Sequence, residues 1–168
     1  ERFKYKNKMS VPKIVKVTIN SSFGKDVATK TSGEREKVQK LIVQDLALIS
    51  GQKPILIKSK KSIAGFKLRE GTDVGLFVTL RGKRMYDFID RLISIALPRS
   101  KDFRGIDRKN FDKNGNLNIG IREHSIFPEI NYENIKDIFS LQVTVVTNTK
   151  DREEGRRLLE LMGFPIKH

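Results

Sequence analysis

The chain has 168 residues, 38% of them hydrophobic and 32% charged, which is enough apolar material for a folded domain of 1–168 and too much for a disordered one. Thirty-four Lys and Arg against 20 Asp and Glu leave a net charge of +14, so a polyanion is the expected partner, with nucleic acid ahead of an anionic membrane surface. Cysteine is absent, which excludes disulfides, thiolate–zinc sites and thiol catalysis. No apolar run approaches the roughly 20 residues that span a bilayer.

Taken in order, Val15, Val17 and Ile19 alternate with Lys16 and Thr18 and predict a first strand. Val38, Leu41, Ile42, Leu46 and Ile49 recur at helical spacing and predict a helix over Glu34–Ser50. Thr31 and Glu34 suit a capping box before it, and Gly51 suits its end. Pro54–Lys58 and Val74–Leu80 read as two strands joined by a basic loop. Met85, Phe88, Ile89, Leu92, Ile93 and Ala96 form a helical stripe that Pro98 should end. Leu117, Ile119 and Ile121 predict a fourth strand, and Leu141, Val143 and Val145 a fifth. A final helix opens at Asp151 and Glu154 and runs through Leu158, Leu159 and Met162 to Gly163. The order β-α-β-β-α-β-β-α predicts an α+β fold: a mainly antiparallel five-stranded sheet, helices packed on one face, the other face free for a partner.

Catalytic signatures are missing. Asp112, Asn114, Asn116 and Glu123 occupy calcium-loop positions, but Leu117 stands where the loop needs glycine, so a tight turn at Asn114-Gly115 is the better reading. His124 beside Ser125 is not a nucleophile pair, since neighbouring strand residues face opposite ways; a solvated or backbone-bonded histidine is expected. The chain contains no phosphate-cradling G-x-x-x-x-G-K-[ST], no G-x-G-x-x-G and no G-x-S-x-G. A nucleic-acid-modifying enzyme would need a carboxylate pair or a metal site, and Asp87, Asp90, Asp102 and Asp107 have no spacing that compels one. No enzyme, cofactor, metal or small-molecule substrate is expected.

Three basic runs remain. Arg2, Lys4, Lys6, Lys8, Lys13 and Lys16 surround the first strand; Lys58, Lys60, Lys61, Lys67 and Arg69 fill the loop between the second and third strands. Nine basic residues against four acidic ones lie between Arg81 and Lys109. Any one run can be a solvated face, but three of them suit an extended polyanion whose binding weakens steeply with salt. Asn20, Gln52 and Thr79 are placed to add shape and 2′-hydroxyl contacts of the kind RNA recognition uses. Phe66, at a glycine-bordered tip, either stacks on a ribose or base or anchors the loop.

Five long segments carry a resemblance: ISGQKP at Ile49–Pro54, KSIAGFKLREG at Lys61–Gly71, VTLRGKRMYDFIDRLISIALPRSKDFRG at Val78–Gly105, FDKNGNLNIGIREHSIFPEI at Phe111–Ile130 and EEGRRLLELMGFP at Glu153–Pro165. Together the chain resembles the large-subunit ribosomal protein five family, which binds 5S ribosomal RNA. The resemblance implies a non-catalytic constituent of the large subunit in the central protuberance. It implies 5S rRNA contacts at Lys13, Lys16, Asn20, Gln52, Lys53 and Thr79, beside other large-subunit rRNA. It further implies that the Lys61–Asp73 loop, with Lys61, Phe66, Lys67 and Arg69, reaches a peptidyl-site tRNA. A bridge to a small-subunit head protein is placed in Pro98–Lys109 or Phe127–Asn134. Another RNA-binding module or a nucleic-acid-modifying enzyme is the alternative. The chain starts almost at the first strand, where family members usually have a helix. The stretch SSFGKDVATKTSGEREK is longer and less glycine-rich than the bacterial pattern; together these departures point to an organellar, mitochondrial version with a cleaved leader ahead of a bacterial or plastid one.

Overall fold

The structure, a computed structural model, describes residues 5, 7–23, 32–66, 68–101, 103–131 and 138–167. The strands are β1 (Ile14–Ser22), β2 (Ile55–Lys58), β3 (Asp73–Leu80), β4 (Leu117–Ile121) and β5 (Leu141–Thr147). They form one five-stranded antiparallel sheet in the order β2-β3-β1-β5-β4. Its helices are α1 (Ser32–Ser50), α2 (Gly82–Arg91) and α3 (Arg152–Leu161). The order of elements is the one that hydrophobic periodicity predicts. Thr31 and the side chain of Glu34, the expected capping box of α1, lie outside the described residues.

Packing divides the chain into two compact units. One comprises residues 1–18, 80–119 and 143–168, the other residues 19–79 and 120–142. In the second unit α1 buries Val38, Ile42, Leu46 and Ile49, the stripe its spacing predicts, while Leu48 stays exposed. Ile19, Leu76, Val78, Phe127 and Phe139 complete that core. Gly75 is needed here: a Cβ on it would lie 2.7 Å from the Ser21 carbonyl oxygen.

In the first unit Met85, Phe88 and Ile89 of α2 are buried with Val17, Leu80, Leu117, Val143 and Leu159. Pro98 does not end this helix as expected. A five-residue π segment, Leu92–Ala96, follows α2, and Leu97 donates its N–H back to the Leu92 carbonyl. The coil then closes one more helical turn, Leu97–Arg99, with proline in its first positions. The wider π turn changes the pairing just ahead of the residue that lacks an N–H, so the break falls after Arg99.

The Asn114-Gly115 turn forms as predicted. Asp112 Oδ1 accepts from the N–H groups of Asn114 (2.9 Å) and Asn116 (2.8 Å), and Oδ2 accepts from the Asn116 side chain at 2.7 Å. Gly115 sits at φ +76°, a left-handed conformation that glycine adopts without a Cβ clash. Its carbonyl oxygen approaches α3 so closely that a Cβ on Gly155 would lie 2.3 Å from it. Asp151 caps α3 by accepting from Glu153 N–H, and Gly163, at φ +94°, follows its end.

Candidate nucleic-acid interface

Strand alternation sorts the side chains of β1 and β3. Val17 and Ile19 are buried, whereas Lys16 and Asn20, on the opposite side of the pleat, are half-buried. In β3 Leu76, Val78 and Leu80 go to the core, and Phe77 and Thr79 remain partly exposed. Lys13 is exposed; its backbone N–H donates to Asn148 Oδ1 at 2.7 Å, which fixes the entry of β1. Lys53 is also exposed. Gln52 uses its amide internally: Nε2 donates to the Thr79 carbonyl at 2.8 Å, tying the turn after α1 to the end of β3.

Of the six residues expected to meet 5S rRNA, Asn20, Gln52, Lys53 and Thr79 fall in one unit, Lys13 and Lys16 in the other. Composition did not flag their neighbours. The β2–β3 register sets Ile55 opposite Phe77 and Ile57 opposite Gly75. Residues directly opposed share a face, so apolar groups flank Thr79. Ile55 is 67% and Ile57 40% exposed. Their alternation is legible in PILIK, but on this edge strand it does not sort the faces by burial, since Leu56 on the opposite face is exposed as well.

The loop that bears the second basic run is hydrogen-bonded along its length. Ser59 N–H donates to the Thr72 carbonyl and Gly71 N–H to the Ser59 carbonyl. Further out, Ile63 and Leu68 exchange both backbone hydrogen bonds, at 2.9 and 3.1 Å. A 3-10 turn, Ala64–Phe66, closes the tip, and Glu70 N–H donates to Ser62 Oγ at 3.0 Å. The result is a braced protrusion. Lys60, Lys61 and Arg69 are exposed on it, as are Ile63 and Gly65; Lys67 and the Phe66 side chain lie outside the described residues.

Histidine 124 is not a surface group. It opens a 3-10 turn, His124–Ile126, with none of its surface exposed, and its ring stacks on Phe139 with centroids 3.9 Å apart. The expectation of backbone bonding is met: His124 N–H donates to the Phe139 carbonyl, and Phe139 N–H donates to His124 Nδ1 at 3.4 Å. Of the two alternatives expected, solvated or backbone-bonded, the second holds, and the Phe139 ring covers the imidazole. Nε2 lies 3.6 Å from Asp45 Oδ2 without a hydrogen-bond partner. Burial lowers the imidazole pKa, opposed by the Asp45 charge. Burial likewise raises that of Asp45, opposed by His124.

Two of the acidic residues singled out above are engaged locally. Asp107 pairs with Lys167 Nζ at 2.9 Å, a hydrogen bond that lowers its carboxyl pKa. Asp90 accepts from Ser94 Oγ. Among the described residues no three His, Cys, Asp or Glu side chains gather to hold a metal, and no helix is long and apolar enough to cross a membrane.

Lys13 at the start of β1, and separately Lys53, Lys60, Lys61 and Arg69 beside and on the β2–β3 loop, are exposed cations of the kind that suit a polyanion. The family model described as ribosomal protein L5 matches residues 7–69, and the model for the C-terminus of the same ribosomal family matches residues 73–166. The large ribosomal subunit protein uL5 of Syntrophomonas wolfei is 50% identical over 167 residues, covering 99% of this chain and 90% of that one. Its counterparts in Desulfatibacillum aliphaticivorans and Acaryochloris marina are 49% and 45% identical, covering 99% of this chain and 90% and 89% of theirs. The chain belongs to the ribosomal protein L5 family. These relatives are bacterial, and they give no support to the mitochondrial expectation.

Proposed function

We propose that this chain is a structural, non-enzymatic constituent of the large ribosomal subunit with ribosomal RNA as its partner, and that within the subunit it docks on 5S rRNA. The observation that carries the reading is membership of the L5 family across residues 7–69 and 73–166. The whole chain, 1–168, serves as one rRNA-binding domain. Lys13, Lys16 and Lys53 neutralise backbone phosphates. Asn20, Thr79 and the Gln52 oxygen read RNA shape, and Ile55, Ile57 and Phe77 offer an apolar surface to ribose and base faces. The ribosome is of the bacterial type, as in the relatives.

Lys61, Phe66, Lys67 and Arg69 on the protrusion meet the peptidyl-site tRNA in this reading. Its backbone hydrogen bonds support that role, because a pre-ordered loop loses little entropy when it meets a flexible strand. The small-subunit head protein contacts Pro98–Lys109 or Phe127–Asn134.

Changing Lys61, Lys67 and Arg69 together to alanine separates the two RNA contacts. Affinity of the purified chain for 5S rRNA is expected to stay within about twofold, while crosslinking to peptidyl-site tRNA in assembled ribosomes falls about tenfold. An equal loss on both RNAs would refute the division.

A further inference from the structure

Helix α3 carries chemistry that neither the sheet nor the protrusion uses. Arg108, Glu153, Arg156, Arg157 and Glu160 line an open cavity of about 280 Å³. That is at the small end for ligand sites, the right scale for a small polar fragment rather than an extended molecule. Its walls are braced. Arg152 donates through its guanidinium to the Arg108 carbonyl, and Ile106 pairs with Ile166.

The lining mixes donors and acceptors. Arg157 donates to Glu160 at 2.9 Å, and Arg156 lies 3.5 Å from Glu153. Each guanidinium has five N–H donors, so one carboxylate contact leaves most of them to a ligand. The Arg156 Nε–H in particular is buried without an acceptor. A buried donor left unmet is a cost to the folded chain. Three guanidinium groups outnumber two carboxylates, and guanidinium forks match phosphate oxygens. The carboxylates supply what a bare anion site lacks, acceptors for hydroxyl groups.

We infer that this cavity receives a ribose-phosphate unit of an RNA strand, its phosphate on Arg108, Arg156 and Arg157 and a ribose hydroxyl on Glu153 or Glu160. The inference rests on ribosomal RNA being the partner and adds a contact beyond those of the sheet and protrusion. Phosphate with an adjacent hydroxyl distinguishes RNA from DNA and from acidic peptide.

The chain has no cysteine, so Leu161→Cys introduces a single thiol beside the cavity at a position 72% exposed. An iron–EDTA probe there, in large subunits assembled with the full chain, is expected to cut rRNA, as is one at Lys53→Cys. In purified chain, Arg108→Ala with Arg157→Ala removes two exposed side chains without touching the core. It is expected to lower rRNA affinity about tenfold. Titration with AMP, read on the Arg156 Nε–Hε resonance, tests a free nucleotide as the source. AMP shifts lost in the double variant, with no cuts from position 161, would keep the ribose-phosphate site but overturn the strand. Cuts from position 53 alone, with unchanged affinity and no AMP shift, overturn the inference and leave the sheet reading standing. Absence of cuts from both positions means that the rRNA reading itself has failed.

Discussion

Replacing Gly155 with alanine is expected to destabilise the protein by about 3 kcal/mol, a larger loss than any exposed lysine or arginine substitution would cause. On a helix surface this change normally stabilises, because alanine is the better helix former. Here the added methyl would lie 2.3 Å from the Gly115 oxygen, 2.5 Å from its Cα and 2.8 Å from its carbonyl carbon. All three are backbone atoms that cannot rotate away. Gly115 itself is held at positive φ by the Asp112 turn, so the loop cannot retreat without breaking three hydrogen bonds to that carboxylate. The thermal midpoint should fall by about 6–12 °C for a chain of this length. Gly65→Ala, with open space around it and no positive φ, is the control and should shift it by less than about 2 °C. A Gly155→Ala protein as stable as the parent would mean that the turn and α3 are not packed as described.

Acidification should weaken the fold through His124. Its folded pKa lies below the ordinary value because burial against Phe139 disfavours the imidazolium more than Asp45 and the neighbouring Glu123 favour it. The unfolded chain therefore takes up a proton first as pH falls through about 6.5, and stability is lost from there downward, at a limiting slope of about 1.4 kcal/mol per pH unit while the native ring stays neutral. Asp45 acts with the opposite sign: its folded pKa is raised, so the native state gains a proton ahead of the unfolded chain on further acidification, and part of the loss is recovered. Thermal midpoints of the parent should fall between pH 7.5 and 5.5, and those of His124→Gln, which cannot titrate, should stay nearly level. Parallel curves would show that the ring is not held in its neutral form.

The regular elements were legible because their apolar residues keep the period of the structure they adopt. Val38, Ile42, Leu46 and Ile49 lie on the buried stripe of α1, and Leu117, Ile119 and Ile121 on the buried side of β4. The turn at Asp112 was legible too, because its hydrogen bonds are local in sequence. What escaped depends on contacts between distant segments. His124 is adjacent to a predicted strand, and nothing near it announces that Phe139 and Asp45 will enclose it. The π segment before Pro98 leaves no periodic mark, since its residues fit an ordinary helical stripe equally well. The Arg156–Arg157 pair reads as one polar step of a helix until the chain returns Arg108 to its side. For the proposed interface, sequence points to the charged and amide groups; Ile55 and Ile57 on the edge strand β2, and Phe77 opposite Ile55 on β3, emerge only once strand order is known.

The most direct test of the account is a salt titration of the purified chain against 5S rRNA and an unrelated structured RNA of equal length. Both complexes should weaken as salt rises, since lysine and arginine release counterions from either RNA. The account predicts that 5S rRNA binds more tightly throughout and keeps its advantage at high salt, where polar and apolar sheet contacts carry what remains. Equal affinities that vanish together would contradict it, leaving the +14 charge as the whole of the binding.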